Sequence, residues 1–158
     1  MILMAGEIQL EKVSLDDAEL LWRMQRTAFS ELLEKYQDTD TNPACETLER
    51  VREKAAQPDS TFYWIKQDGE PVGGIRVVLR ENESKRISPL FILPQYRNKG
   101  IAQQAIRLAE ELYGDEDWEL GTILQEKGNC HLYEKMGYRP TGATLEINDK
   151  LTLIFYKK

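Results

Sequence analysis

Leu90-Phe91-Ile92-Leu93-Pro94-Gln95-Tyr96-Arg97-Asn98-Lys99-Gly100-Ile101-Ala102 decides the fold of this chain. It opens as a buried strand, stops at Pro94, passes through a polar turn and enters a helix whose first turn holds Gly100 and Ala102. Such an arrangement makes an anion site. The first backbone N–H groups of a helix have no partner inside it, and the macrodipole adds partial positive charge there. Gly100 and Ala102 keep the backbone approachable, while Arg97 and Lys99 add cationic side chains. A pyrophosphate is the natural guest. The plainer alternative is a glycine that shapes a strand-to-helix turn and holds no ligand. The common nucleotide fingerprints do not fit, since neither GxGxxG nor GxxxxGK(S/T) occurs anywhere.

Upstream of this stretch, Gly6 to Val13 alternates well enough for a strand. Ser14 with Asp17 resembles a capping box, and Leu15, Ala18, Trp22, Phe29, Leu32 and Tyr36 recur at helical spacing, which predicts a helix reaching Tyr36. Asp38 to Asn42 is a polar break. Asn42-Pro43 predicts the start of a second helix with Ala44, Leu48, Val51 and Ala55 on its apolar face, closed by Pro58. Thr61 to Ile65 and Val72 to Leu79 flank Asp68-Gly69 and predict a hairpin. Arg86 to Leu93 follows as a third long strand, where Pro89 removes a ladder donor and predicts a bulge or a free edge.

Downstream, Lys99 to Tyr113 reads as a helix, Trp118 to Ile123 as a short strand, and Asn129 to Met136 as a short helix ended by Gly137. Tyr138 to Ile147 and Leu151 to Tyr156 read as a closing hairpin around Asn148-Asp149. The order β-α-α-β-β-β-α-β-α-β-β predicts an α/β mixed sheet with helices on its faces. No repeat, linker or low-complexity tract interrupts it, so residues 1–158 are read as a single domain.

The 158 residues suffice for one core, and 41% hydrophobic with 30% charged residues is the composition of an ordinary folded protein. Cys45 and Cys130 stand apart without a CxxC, which argues against a zinc site or a disulfide framework and fits a reducing cytoplasm. The apolar start, Met1 to Ala5, has no basic region before it and is too short for a signal peptide; no apolar run reaches the ~20 residues of a membrane span. A net charge of −6, with Lys and Arg scattered among more numerous acids, speaks against nucleic acid and favours amine or cationic substrates.

Arg97-x-x-Gly100-x-Ala102, placed directly after Phe91-Ile92-Leu93-Pro94, resembles the CoA-binding motif of the GNAT N-acetyltransferase superfamily, whose pattern is Q/R-x-x-G-x-G/A. Downstream, Leu132-Tyr133-Glu134-Lys135-Met136-Gly137-Tyr138 is similar to the LYEKxGF segment that ends the same fold, with a helix and a short strand between the two. The resemblance spans essentially the whole chain and implies a mostly antiparallel sheet with a splayed parallel strand pair and flanking helices. It implies acetyl-CoA as acyl donor, no metal, and transfer to a primary amine by direct attack through a tetrahedral intermediate. In its terms the backbone of Phe91, Ile92 and Leu93 holds the pantetheine and acetyl group, one of those N–H groups polarises the thioester carbonyl, and the run Arg97, Asn98, Lys99, Gly100, Ile101, Ala102 cradles the pyrophosphate.

Tyr133 stands where the family's tyrosine often protonates the departing thiolate; a phenol of reference pKa ~10 can donate to a thiolate of ~8.5 if the site tunes the two together. The alternative is a packed helix residue with its hydroxyl on water. The family pattern places Asn seven positions before this tyrosine and Ala four before it, where this chain has Glu126 and Asn129. Asn129 therefore either contacts the cofactor or caps the helix. Cys130 lacks a paired base beyond its neighbour His131, and His131 reads as a surface residue or one standing behind the site rather than as a ligand. The general base is open. Arg86 and Ser88 occupy strand positions where relatives carry a glutamate, leaving Glu81, Glu83, Glu31, Glu34 or a water chain. The first helix, the loop Gln37 to Asn42 and the closing hairpin would line the acceptor cleft. A non-catalytic acyl-CoA-binding module and a tRNA-directed acyltransferase are the other readings, the latter disfavoured by the charge. A homodimer is left open.

Overall fold

The computed structural model describes residues 7–158; the Met1 to Ala5 stretch and Gly6 lie outside the described residues. Strand β1 (Ile8–Lys12) is followed by a 3₁₀ turn at Leu15–Asp17 and helix α1 (Ala18–Tyr36). Ser14 Oγ accepts from the Asp16 N–H, so the expected cap is real but serves the 3₁₀ turn ahead of the helix. A second 3₁₀ turn, Pro43–Cys45, precedes α2 (Leu48–Ala56). The second helix thus starts later than expected. Asn42 Oδ1 caps only the short turn, through the Ala44 N–H, and Thr47 Oγ1 caps the helix proper through the Arg50 N–H.

The hairpin forms as β2 (Ser60–Gln67) and β3 (Glu70–Leu79), and β4 (Lys85–Ile92) lies beside β3. Then come α3 (Ile101–Tyr113), β5 (Trp118–Ile123), α4 (Lys127–Lys135), β6 (Arg139–Glu146) and β7 (Thr152–Lys157). All strands join one seven-stranded sheet in the order β1-β2-β3-β4-β5-β7-β6. Each neighbouring pair is antiparallel except β4 with β5.

Helices cover both faces, so the central strands are apolar on both sides rather than alternating with polar residues. In β2, Tyr63 and Ile65 pack into the core under α3, with Ile101, Ile106 and Trp118. Phe62 and Trp64 point the other way and join Leu21, Met24, Ala28 and Val51 of α1 and α2. At the sheet's far edge β6 is exposed along its whole length, and its pairing with β7 breaks between Pro140 and Thr144. Proline and a break in register protect such an edge from pairing with other chains.

Candidate active site

Two parallel strands that should lie side by side do not. β4 and β5 pair only at Lys85 with Trp118 and Arg86 with Glu119. Beyond that point each strand keeps its other neighbour: β4 stays on β3 as far as Ile92 with Gly73, and β5 stays on β7 as far as Ile123 with Leu153. The strands therefore diverge into a wedge with an unpaired edge on β4. The expected bulge sits where they part. Ser88 and Pro89, joined by a cis peptide, stand opposite the single residue Arg76, between the pairs Ile75–Leu90 and Val77–Ile87. Arg76 is buried, and its guanidinium donates to the Ser88 carbonyl at 3.1 Å, to Gln57 Oε1 at 2.7 Å and to Ser60 Oγ at 3.3 Å.

Strand alternation sorts the expected pantetheine-contact residues. The Leu93 N–H donates to Val72 O at 2.9 Å, so Leu93 faces β3, and Phe91, two residues back, shares that direction. The Ile92 carbonyl instead accepts from Arg97 Nε at 3.0 Å, which puts the backbone polar groups of Ile92 on the open side. Leu90, two residues before Ile92, shares the open side and lines the cavity within the wedge. Leu90 was missing from the sequence-based set. What could have found it is the same alternation, counted back from the strand's proline stop.

The turn after β4 has the shape expected of an anion cradle. Asn98 (φ 62°) and Gly100 (φ 76°) both adopt left-handed backbone, and a Cβ at Gly100 would meet nothing within 4 Å. The first helical bond of α3 runs from the Gln104 N–H to Gly100 O at 3.1 Å, and the N–H groups from Asn98 to Gln103 find no protein acceptor among the described residues. Ile101 contributes its backbone here while its side chain is buried in the core; Ala102 and Gln103 complete the first turn. Arg97 has partners within the protein. Its guanidinium donates to Ile92 O and Ala28 O and lies 3.8 Å from Glu31, so it fastens the turn to the end of β4 and to α1. Lys99 Nζ sits 5.9 Å from the Tyr96 ring. The donors left without an acceptor at this turn are backbone groups.

On the β5 side, Tyr133 and Asn129 line the same cavity, one turn apart on α4. The cavity has a volume of about 190 Å³. The LYEKMGY run ends α4 in a Schellman motif: the Tyr138 N–H reaches Tyr133 O at 3.0 Å, the Gly137 N–H reaches Glu134 O at 3.1 Å, and Gly137 has φ 93°. The Tyr133 ring is then fixed edge-on to Tyr138, with centroids 6.1 Å apart, and packs against Tyr156 at 6.2 Å. Tyr133 is 9% exposed, and its hydroxyl has no hydrogen-bond partner among the described residues. Burial, followed by the nearby Cys130, pushes its pKa up to about 12, so it keeps its proton at neutral pH. Asn129 does not cap α4. Glu126 holds that place and its carbonyl accepts from the Asn129 N–H at 3.1 Å. Cys130 is buried with its Sγ 3.7 Å from the Ile123 carbonyl, while His131 is exposed.

The opposite wall comes from the α1–α2 loop. Asp38, Thr41, Asn42 and Pro43 line the cavity beside Phe29 and Leu32. The Asp38 carbonyl accepts from the N–H groups of Thr41 (3.1 Å) and Asn42 (2.8 Å), and Asn42 Nδ2 donates to Asp38 Oδ1 at 3.1 Å. Gln25, fully buried on α1, donates to Pro43 O at 2.8 Å and Glu46 Oε1 at 2.9 Å, and Trp22 Nε1 donates to Glu46 O at 2.8 Å. Sequence reasoning named neither Gln25 nor Trp22 for this task, since nothing local marks a long-range tether. None of the four glutamates considered as base lines the cavity: Glu81 and Glu83 lie in the exposed β3–β4 turn, and Glu31 and Glu34 are exposed on α1. No cluster of His, Cys, Asp or Glu suited to a metal ion, and no helix long and apolar enough to cross a membrane, occurs among the described residues.

The wedge between the parallel strands, with unpartnered backbone N–H groups at its mouth and Tyr133 inside it, is the candidate site of this chain. A family model described as the acetyltransferase (GNAT) family matches residues 20–138, and the chain belongs to that family. No curated protein sequence matches it. Among solved structures it is similar to an acetyltransferase from Thermus thermophilus (22% identity, TM-score 0.71, 97% of each chain covered). It is also similar to the microcin C7 self-immunity acetyltransferase MccE in complex with acetyl-CoA and AMP (18%, TM-score 0.74, 99% of this chain and 97% of that one). A third is the spermidine N-acetyltransferase from Vibrio cholerae in complex with CoA and spermine (14%, TM-score 0.74, 94% and 93%).

Proposed function

We propose that the protein moves an acetyl group from acetyl-CoA to a primary amine by direct attack. The observation that carries this reading is the hydroxyl of Tyr133, a buried residue, left without a partner among the described residues in a cavity whose other side is the unpaired edge of β4. The pyrophosphate is held by the N–H groups of Asn98 to Gln103, and the pantetheine arm runs along the open edge at Leu90 and Ile92. A cavity-facing N–H of that edge polarises the thioester carbonyl. Such preorganised donors are worth ~10²–10³ in rate.

The amine nitrogen bonds to the thioester carbon, the carbonyl oxygen takes negative charge, and the tetrahedral intermediate collapses as the C–S bond breaks. Tyr133 gives its proton to the departing thiolate and recovers one from solvent. An ammonium gives up two protons overall, one matched by the proton on CoA thiol and one released to solvent. A pKa of about 12 keeps the proton on the hydroxyl until the thiolate leaves, and transfer to that thiolate requires the same burial to raise the pKa of the thiol as well. The acceptor's body occupies an adjoining cavity of about 520 Å³, which shares Thr41, Asn42, Pro43, Ser88 and Pro89 with the wedge.

Thiol release from acetyl-CoA, followed against polyamines, amino acids, aminoglycosides and peptide N-termini, tests this directly. Amine-dependent release should fall ~10–100-fold in Tyr133→Phe, with acetyl-CoA affinity unchanged. Acetyl-CoA binding without turnover against any amine would favour a binding module. Failure to bind CoA would overturn the reading.

A further inference from the structure

Of the residues that line the wedge, Asp38 alone carries a carboxylate. It is 6% exposed and makes no ion pair among the described residues. Its one side-chain partner is the neutral amide of Asn42, although an ionised carboxylate offers roughly four acceptor positions. The cations nearby are already engaged. Lys35 sits on Glu126 at 2.9 Å, Lys54 pairs with Glu46, and Lys150 donates to Gln37 Oε1 at 3.0 Å. Burying a carboxylate without a counter-ion is unfavourable, and buried charges in folded proteins are paired.

Resting on the transferase reading, we propose that Asp38 is the counter-ion for the acceptor's ammonium group, which makes the acceptor a cationic primary amine. Asp38 shares its cavity with Leu90 on the open edge of β4 and with Tyr133, so a nitrogen held there lies beside the reacting thioester. An ammonium supplies the missing charge and three donors at once. The adjoining cavity sets no competing sign: its lining carries Asp40 and Glu46 against Arg50 and Lys54, and Glu46 is paired with Lys54. The loop is rigid enough to hold a specificity residue. Its turn is closed by two bonds to the Asp38 carbonyl and tethered to α1 through Gln25 and Trp22.

The test compares a charged nucleophile with a neutral one. Acetyl-CoA thiol release is measured near neutral pH with spermidine and n-butylamine, which are cationic there, and with hydroxylamine, which is not. In Asp38→Asn, kcat/KM for the two cations should fall ~30-fold or more, chiefly through KM, while hydroxylamine changes less than ~3-fold. Asp38→Glu should restore part of the loss. Calorimetry on the CoA-saturated protein provides the second readout: spermidine should bind wild type and bind Asp38→Asn at least ~30-fold more weakly. An equal loss for charged and neutral nucleophiles overturns the proposal, as does no loss for either, or a CoA-saturated wild type that binds no ammonium. If the wild type binds no CoA at all, the transferase reading fails instead, and that result is distinct from all of these.

Discussion

The two walls of the wedge are built by opposite means. On the proposed reading the donor wall is contiguous: residues 90–103 supply the open strand edge and the unpartnered N–H groups, and residues 132–138 supply Tyr133 together with the Schellman turn that fixes it. Its working groups are mostly backbone, set by local φ angles at Asn98, Gly100 and Gly137. The acceptor wall is assembled from side chains far apart in sequence, with Gln25 and Trp22 reaching from α1 to hold Pro43 and Glu46 so that Asp38 and Asn42 stand in place. The first is a conformation and the second a set of tethers. Backbone geometry can be shared by chains of very different sequence, whereas tethers can change with each acceptor.

The sharpest way to break this contrast is to disturb the donor wall from behind without touching any donor. Gly73 on β3 lies against the end of β4, and a Cβ there would come within 2.1 Å of the Phe91 carbonyl oxygen. Backbone does not yield as a flexible side chain does. Gly73→Ala should therefore push β4 outward, cost about 3 kcal/mol or more in stability, and weaken acetyl-CoA binding in the same variant. Urea denaturation and acetyl-CoA titration check it. Normal stability and normal affinity together would show that β4 need not lie this close to β3.

The same contrast explains what the sequence made legible. The order of strands and helices along the chain, the hairpin at Asp68-Gly69, the bulge at Pro89 and the left-handed turn at Gly100 all follow from signals that act within a few residues. The start of α2 was misplaced because Asn42-Pro43 is a good initiation signal that the chain spends on a single 3₁₀ turn, leaving Thr47 to cap the helix. Arg97 was read as a phosphate ligand from its place in a motif. In three dimensions two backbone carbonyls and Glu31 lie within its reach. Asp38 fell in a stretch legible only as a polar break, since its significance comes from a cavity that neither neighbouring residue reveals.

Arg97 and Lys99 allow the next test, because they are two cations in one turn with different work. Arg97→Ala frees the Ile92 and Ala28 carbonyls and loosens the turn, so melting temperature and acetyl-CoA affinity should fall together, affinity by ~10-fold. Among the described residues Lys99 has no tether to the backbone, and Lys99→Ala should leave stability unchanged and weaken acetyl-CoA by ~3-fold at low salt, the difference fading as salt rises. A strongly salt-dependent loss in Arg97→Ala with no change in melting temperature would return Arg97 to the phosphate.

The smallest expected effect belongs to the contact that joins the two walls. Glu126, at the start of α4, accepts from Tyr36 OH at 2.5 Å and from Lys35 Nζ at 2.9 Å, both at the end of α1. Burial raises its pKa, but the bonds from Tyr36 and Lys35 outweigh that and hold the carboxyl below its usual range. A depressed carboxyl pKa stabilises the folded state above the unfolded value of ~4.3, and that contribution is lost as pH falls through the folded pKa. Glu126→Gln should thus lower stability slightly at neutral pH, by less than ~1 kcal/mol for a contact open to water on the lysine side, and the difference from wild type should shrink in acid. Because the contact positions α1 and its loop rather than the cradle, the KM for the amine should shift ~2–3-fold while that for acetyl-CoA stays put. A change in acetyl-CoA KM with the amine unaffected would place Glu126 on the donor wall, and would mean that the walls are coupled through α4 rather than through α1.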